Sequence, residues 1–114
     1  MLFRSLDPLT AIGVGLAVGY TGLVLMRDAL IVLLDAIPAH IDPDQVRQVL
    51  LQCPGVVDVH HLHIWALSTS QVALTAHVCR QIGAVDDMAL LHQAKRALAE
   101  VGVEHSTIQL EPAP

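Results

Sequence analysis

A run of 18 residues without a charged side chain, Leu9–Met26, constrains the possible folds of this sequence more than any other stretch. As an α-helix that rises about 1.5 Å per residue, the run would be about 27 Å long, close to the thickness of a bilayer core. Glycine is costly in soluble helices but tolerated in membrane helices, and Gly15 and Gly19 form a G-x-x-x-G pair that permits close helix packing. The run therefore predicts a transmembrane helix.

A secretory signal peptide and a buried soluble helix are the two alternatives for this run. A signal peptide would have a shorter apolar core and a small-residue cleavage site, whereas Arg27 and a continuing helical pattern follow here. A buried helix would need more surrounding protein than the rest of a 114-residue chain offers. The helical pattern predicts a connecting helix to Ile37 that stops at Pro38. We therefore divide the chain into residues 1–38, a membrane and connecting helix, and residues 39–114, a second domain.

Composition and motifs restrict the function of the second domain. A net charge of −5 offers no basic surface for nucleic acid, while the excess of carboxylates suits divalent cations. The sequence contains no phosphate-binding loop, no CxxC pair and no hydrolase nucleophile motif, so we predict that the protein is not an enzyme. Cys53 and Cys79 are far apart in sequence and are typical of buried thiols in a reducing compartment rather than of a disulfide framework.

The second domain has the predicted element order α-β-β-α-β. Asp42 caps the first helix and Pro43 occupies its first position, whereas Gly102 ends the second helix. The predicted elements are a helix to about Gln52, strands Val56–Leu67 and Gln71–Val78, a helix from Asp86 or Asp87 to about Glu100, and a strand Glu104–Glu111. The inner side of the second helix is predicted to carry Met88, Leu91, Ala94 and Leu98. A hairpin and a third strand covered on one face by two helices form an α+β two-layer sandwich of the ferredoxin-like type.

The strand Val56–Leu67 carries three of the seven histidines and the only tryptophan. Strict alternation would place His60 on one face and both His61 and His63 on the other. Because both faces are largely apolar, we expect a central strand that is covered on both sides. Neutral imidazole is a common zinc ligand, but a metal site needs about four donors from several elements.

Donors from the other two strands are predicted to lie near this strand. Pairing of the hairpin about Thr69 places His60 opposite about residue 78, next to His77. Glu111, at the end of the third strand, can join them. Two imidazoles and a carboxylate are a credible set of zinc ligands, and His92 on the second helix is a further donor.

Several segments of the sequence, in their order, resemble the cation diffusion facilitator transporters, which exchange zinc and related divalent cations for protons. The segments that resemble the family's cytoplasmic domain are VVDVHHLHIW, ALTAHV and HSTIQLE, and those that resemble its last membrane helix and exit are LDPL and MRDALIVLLDAIP. The resemblance covers nearly the whole chain. It implies a metallochaperone-like domain that lies in the cytoplasm at the cell (inner) membrane, binds metal and forms a homodimer.

The resemblance also assigns roles to individual residues. By position, His60, His77 and Glu111 match metal ligands of the family, and His92 matches a helix position that binds a second ion in some members. His105, just before the last strand, could be a substitute donor.

Other positions depart from the family pattern or are expected to be structural. Gln109 stands where some members have a bridging histidine, and His61 stands where an aspartate or small polar residue is usual. His63 and Trp65 are expected to be core residues rather than ligands.

The resemblance leaves three functions open. The family moves metal through histidines and aspartates on two earlier membrane helices, and Leu9–Met26 contains no His, Asp or Glu, so this chain alone is not expected to carry an ion. The leading prediction is the C-terminal part of a zinc efflux transporter, whose cytosolic domain binds metal and dimerises to regulate transport. The alternatives are a stand-alone metal-buffering or regulatory protein and a metal-free dimerisation module. Zinc is the expected ion, and cobalt, nickel, iron and manganese are also compatible.

Overall fold

The structure, a computed structural model, describes residues 2–114. Its elements are α1 (Leu2–Leu33), α2 (Pro43–Leu51), β1 (Val56–Ala66), β2 (Val72–Arg80), α3 (Asp87–Glu100) and β3 (His105–Pro112). The molecule is 83 Å long and about a quarter as wide, because α1 extends away from the other elements. The elements after α1 follow the predicted α-β-β-α-β order.

Helix α1 is longer at its start and shorter at its end than the sequence predicted. It begins at Leu2, before the uncharged run, and includes Pro8. It ends at Leu33 rather than at Ile37, because Asp35 adopts a left-handed conformation with φ 52°. The N–H of Ala36 then donates to the carbonyl oxygen of Ile31 at 3.0 Å, which closes a Schellman turn. Pro38 therefore follows the end of the helix and does not cause it.

The part of α1 that could cross a membrane is Leu6–Leu33, with a mean hydropathy of 1.9. None of its most apolar stretch is buried against the rest of the protein, so a soluble core helix does not describe it. Length and composition alone make it a candidate span. The predicted uncharged run Leu9–Met26 lies inside this segment.

The three strands form one sheet in the order β1-β2-β3. Strands β1 and β2 are antiparallel, and β2 and β3 are parallel with α3 between them in the chain. The prediction that β1 is the central strand is wrong: β1 lies at an edge of the sheet and β2 is central. The reason is that β3 pairs with β2, so β2 is hydrogen-bonded on both sides.

The core lies between one face of the sheet and the two helices α2 and α3. Alternate residues of β2 point into it, as predicted, and are at most 2% exposed: Val72, Leu74, Ala76 and Val78. They form one cluster with buried residues of the helices, which are Val46, Leu50, Leu90, Ala94 and Leu98. Full burial of one of these valine or leucine side chains stabilises the fold by about 1.5–3 kcal/mol. Helices on one face leave the other face of the sheet free to present polar side chains.

The helix ends follow the predicted caps. The carboxylates of Asp42 and Asp86 accept hydrogen bonds from backbone N–H groups in the first turns of α2 and α3. Gly102 has φ 93°, so the residue after α3 is in the conformation that glycine adopts most easily. Met88, predicted on the inner side of α3, is instead 60% exposed. It lies about 200° around the helix from the buried Leu90, at 3.6 residues per turn.

Candidate metal centre

Polar side chains occupy the face of the sheet that the helices leave open. The strand register places His60 beside His77, and His77 beside Gln109. One row further along the sheet, Cys79 lies beside Glu111. Neighbouring residues on paired strands point to the same face, so all three strands contribute side chains to one group. We call His60, His61, His77, Cys79 and Glu111 the sheet-face cluster.

A β-bulge at His61 determines which side chains of β1 join this face. Val59 and Ile64 are five residues apart and would lie on opposite faces of a regular strand, yet both are buried. Their partners on β2, Val78 and Leu74, are only four residues apart, so β1 contains one extra residue between Val59 and Ile64. His61 accommodates it with φ 50°.

The bulge corrects the predicted faces of β1. Just before it Val59 points to the helices, and after it the even-numbered residues Leu62, Ile64 and Ala66 do, so His60 shares the open face with His63. The prediction that His63 and Trp65 are core residues is also wrong: His63 is exposed and Trp65 is half-buried. Both belong to the face that carries no helix.

Glu111 links the two predicted histidine ligands. One carboxylate oxygen, Oε1, lies 2.7 Å from Nδ1 of His77, and the other, Oε2, lies 2.9 Å from Nε2 of His60. Gln109 donates from Nε2 to Oε1 of the same carboxylate at 3.2 Å. His60, His77 and Glu111 come from three different strands, so they converge only in the folded sheet. Each is about one-third exposed, which leaves the group accessible to an ion from solvent.

His60 also contacts His61, which was not predicted as a ligand. Their Nδ1 atoms are 2.7 Å apart, so one nitrogen carries a hydrogen and the other accepts it. A neutral His60 that donates from Nε2 to Glu111 must accept from His61 at Nδ1. The ring centroids of His60, His61 and His77 lie 4.7–5.3 Å from one another. Three imidazoles this close form a compact set of nitrogen donors.

The carboxylate and the thiol of the cluster have shifted pKa values in opposite directions. The hydrogen bond from His77, together with His60, lowers the pKa of Glu111 below its ordinary 4.5 although partial burial opposes this. Because the folded pKa is depressed, the stabilisation from ionised Glu111 is present above pH 4.5 and is lost as the pH falls through the lowered value. Partial burial, and then the nearby carboxylates of Glu111 and Asp58, raise the pKa of the Cys79 thiol.

The donor atoms of the cluster form two groups with metal-ligand spacing. In each group of three, the donor atoms lie within 4.8 Å of one another: His60, His61 and His77, and His60, Cys79 and Glu111. Sequence reasoning identified His60, His77 and Glu111 but missed His61 and Cys79. For Cys79 the sequence offers one weak signal, since it follows His77 by two residues on the same strand face. His61 was not, because regular alternation turns it away from His60.

The other two predicted donors do not lie in the sheet-face cluster. His105 opens β3, six residues before Glu111, which corresponds to about 20 Å along a strand. His92 is exposed on α3, in the helical layer on the other side of the sheet. Within one chain, neither imidazole can share an ion with His60 and His77.

Comparison with known proteins connects this geometry to a family. Residues 38–113 match the sequence family described as cation efflux protein, cytoplasmic domain. The chain belongs to the cation efflux family. The residues that match form the C-terminal cytoplasmic domain of that family, which is a dimerisation domain. The earlier resemblance to cation diffusion facilitators is therefore confirmed.

Two cation efflux relatives illustrate how much of a longer protein the chain represents. The metal cation efflux system protein CzcD of Cupriavidus metallidurans is 37% identical over 109 residues, which cover 95% of this chain and 34% of CzcD. The proton-coupled zinc antiporter SLC30A8 of Xenopus tropicalis is 33% identical over 110 residues, or 96% of this chain and 29% of the relative. The chain thus spans about a third of these relatives, which are transport proteins rather than enzymes.

Solved structures of cation efflux domains support the same fold. The metal-bound C-terminal domain of the CzcD transporter is 38% identical, with a TM-score of 0.58 over 62% of this chain and 99% of that domain. The zinc form of CzrB is 22% identical, with a TM-score of 0.53 over 68% of this chain and 91% of that one. The second similarity concerns the fold alone. The predicted two-layer α+β domain is confirmed.

Proposed function

We propose that this chain is the C-terminal part of a divalent-cation efflux transporter, and that residues 39–114 form a cytoplasmic domain that binds zinc and regulates transport as a homodimer. The observation that carries the proposal is the convergence of His60, His77 and Glu111. They belong to three different strands, and yet both imidazoles contact one carboxylate at 2.7 and 2.9 Å. In the proposed role the domain has no enzymatic activity.

The chemistry and spacing of these donors fit a zinc ion. Zinc takes imidazole nitrogen at about 2.0–2.1 Å and carboxylate oxygen at about 2.0–2.2 Å, in tetrahedral sites whose donors lie about 3.4 Å apart. Two sets of three donor atoms in the cluster already lie within 4.8 Å of one another, and the partial exposure of His60, His77 and Glu111 gives the ion a route from solvent. Water or a further cluster residue would complete the shell. Cobalt, nickel, iron and manganese accept the same nitrogen and oxygen donors.

The functions of the relatives agree with this assignment. CzcD is a metal cation efflux protein and the solved CzcD domain is metal-bound, while SLC30A8 is a zinc antiporter. His92 and His105 stay in the proposal in a different role: each could bind metal only with a second chain or at a second site. A bound ion would regulate transport by stabilising one arrangement of the domains over another, to the extent of its differential affinity for the two.

Zinc titration of the chain, followed by calorimetry and thermal unfolding, tests the proposed function. We expect saturable binding and a rise in the unfolding temperature, because donors from three strands exist as a site only in the folded state. Magnesium serves as the control, since it prefers oxygen donors in octahedral geometry and should have neither effect. A chain that zinc neither binds nor stabilises would leave the domain as a metal-free dimerisation module.

The membrane assignment of α1 predicts different behaviour for two lengths of the protein. We expect the complete chain to partition into membranes or detergent and residues 39–114 alone to be soluble. The reason is that the most apolar stretch of the candidate span is nowhere buried against the rest of the chain. Fractionation of cells that express each version measures this difference. A complete chain that stays soluble and monomeric without detergent contradicts the prediction.

Dimerisation is a separate prediction for residues 39–114. We expect a homodimer, because a domain of this size has a thin core and its family is one of dimerisation domains. Sedimentation equilibrium at increasing protein concentration, with and without zinc, measures the association. A monomer at high concentration in both conditions would show that the domain does not pair in this way.

A further inference from the structure

The sheet-face cluster offers an ion two different sets of donors. One set consists of three imidazoles, from His60, His61 and His77, and the other combines His60 with Cys79 and Glu111. His60 belongs to both sets, because its two ring nitrogens lie 2.7 Å from His61 and 2.9 Å from Glu111. The second set therefore adds a sulfur donor to a site that otherwise contains only nitrogen and oxygen.

We propose that Cys79 is a metal ligand of this cluster and that its sulfur makes the site prefer thiophilic cations such as cadmium over harder cations. The inference rests on the proposed metal-binding function and adds a determinant of ion selectivity to it. Thiolate is a soft ligand that selects ions such as zinc and cadmium, whereas carboxylate and water suit magnesium and manganese. A sulfur donor in the shell should therefore raise the affinity for cadmium more than the affinity for harder cations.

The placement of Cys79 distinguishes it from a structural thiol. Its Sγ lies 3.9 Å from Oε2 of Glu111, the same oxygen that contacts His60. It follows His77 on the open face of the central strand, and only part of its surface is buried. Cys53, by contrast, is buried beside α2 and donates to the backbone carbonyl of Val49. One cysteine therefore faces the metal donors while the other faces the core.

Binding through Cys79 exchanges a proton for the metal. The Sγ–H bond breaks as the bond between Sγ and the cation forms, and the proton passes to the buffer. The cation charge then offsets the two negative groups at this end of the sheet, the new thiolate and Glu111. Asp58 of β1 lies beside Cys79 of β2. Its negative charge is already balanced by Arg47, with which it forms an ion pair at 3.1 Å.

Cadmium titration of the complete chain in detergent tests the inference through the thiolate-to-cadmium charge-transfer absorption in the ultraviolet. We expect the band to reach its maximum at one cadmium per chain in the parent and in Cys53→Ser, and to be absent in Cys79→Ser. Calorimetry should show that Cys79→Ser lowers cadmium affinity by about tenfold or more, which is about 1.4 kcal/mol, and zinc affinity by less.

A chemical measurement keeps the test valid if Cys79→Ser folds poorly. In Cys53→Ser the remaining thiol is that of Cys79, and bound cadmium should slow its reaction with a thiol reagent, whereas magnesium should not. Cadmium binding without the band, or without protection of the thiol, overturns the inference and leaves the proposed function intact. A chain that binds neither cadmium nor zinc overturns both.

Discussion

Replacing His77 with alanine is expected to lower the zinc affinity of the chain by about a hundredfold or more. Loss of groups that merely orient a ligand typically costs about 10–100-fold in affinity, and His77 is proposed to bind the ion directly. Its Nδ1 atom lies 2.7 Å from Glu111, at the centre of the sheet-face cluster. The variant removes one of the two nitrogen donors that the proposed site takes from β1 and β2. Isothermal titration with zinc measures the loss.

His105→Ala is the matched control for this experiment. It removes the same side chain from the same face of the sheet, at the end of β3 that lies about 20 Å from Glu111. We expect the affinity for the zinc ion at the sheet-face cluster to remain within about twofold of the parent, because no donor of the cluster is touched, whereas any second ion bound through His105 would be lost. Loss of binding in His105→Ala but not in His77→Ala would show that the ion binds at the other end of the sheet.

The elements that the sequence predicted correctly are those with local physical signals. Asp42 and Asp86 cap helices through their own side chains, and Gly102 supplies a conformation that few other residues adopt easily. The alternation in β2 describes its faces because that strand is regular from Val72 to Val78. Such signals act over a few residues, so they are visible without knowledge of the tertiary structure.

The elements that the sequence predicted wrongly depend on tertiary structure or on irregular backbone. The central position of β2 follows from its pairing with β3, a contact that no pattern within β1 reveals. The end of α1 is determined by the left-handed conformation of Asp35, a residue that adopts it less readily than glycine. A sequence reader would place that end at Pro38, because proline is the stronger helix breaker.

The candidate site could be predicted as far as the register of the hairpin between β1 and β2 could be predicted. Pairing about Thr69 placed His60 near residue 78, and the structure pairs it with His77. The extra donors required more information. Cys79 shares a face with His77 by simple alternation, but cysteine is so often buried in cores that the pattern alone did not indicate a ligand. The contact of His61 with His60 exists only because of the bulge.

Deleting His61 is therefore expected to preserve the two faces of β1. Without this residue Val59 and Ile64 are four residues apart, as are their partners on β2, so regular alternation places both in the core and His60 on the open face. The deletion also removes a residue with positive φ, a conformation that costs a residue other than glycine about 1–2 kcal/mol. We therefore expect stability to be maintained or raised and zinc binding to persist without the imidazole of His61.

His61→Gly is the control that separates the bulge from the imidazole. Glycine adopts positive φ without the penalty of about 1–2 kcal/mol that other residues incur, so we expect the bulge to persist and stability to be maintained or raised. Zinc binding should also persist, because His60, His77 and Glu111 keep their positions. Denaturant unfolding and zinc titration of both variants measure these effects. A deletion variant that loses stability or zinc binding while His61→Gly keeps both would show that the extra residue itself is needed to hold His60 on the open face.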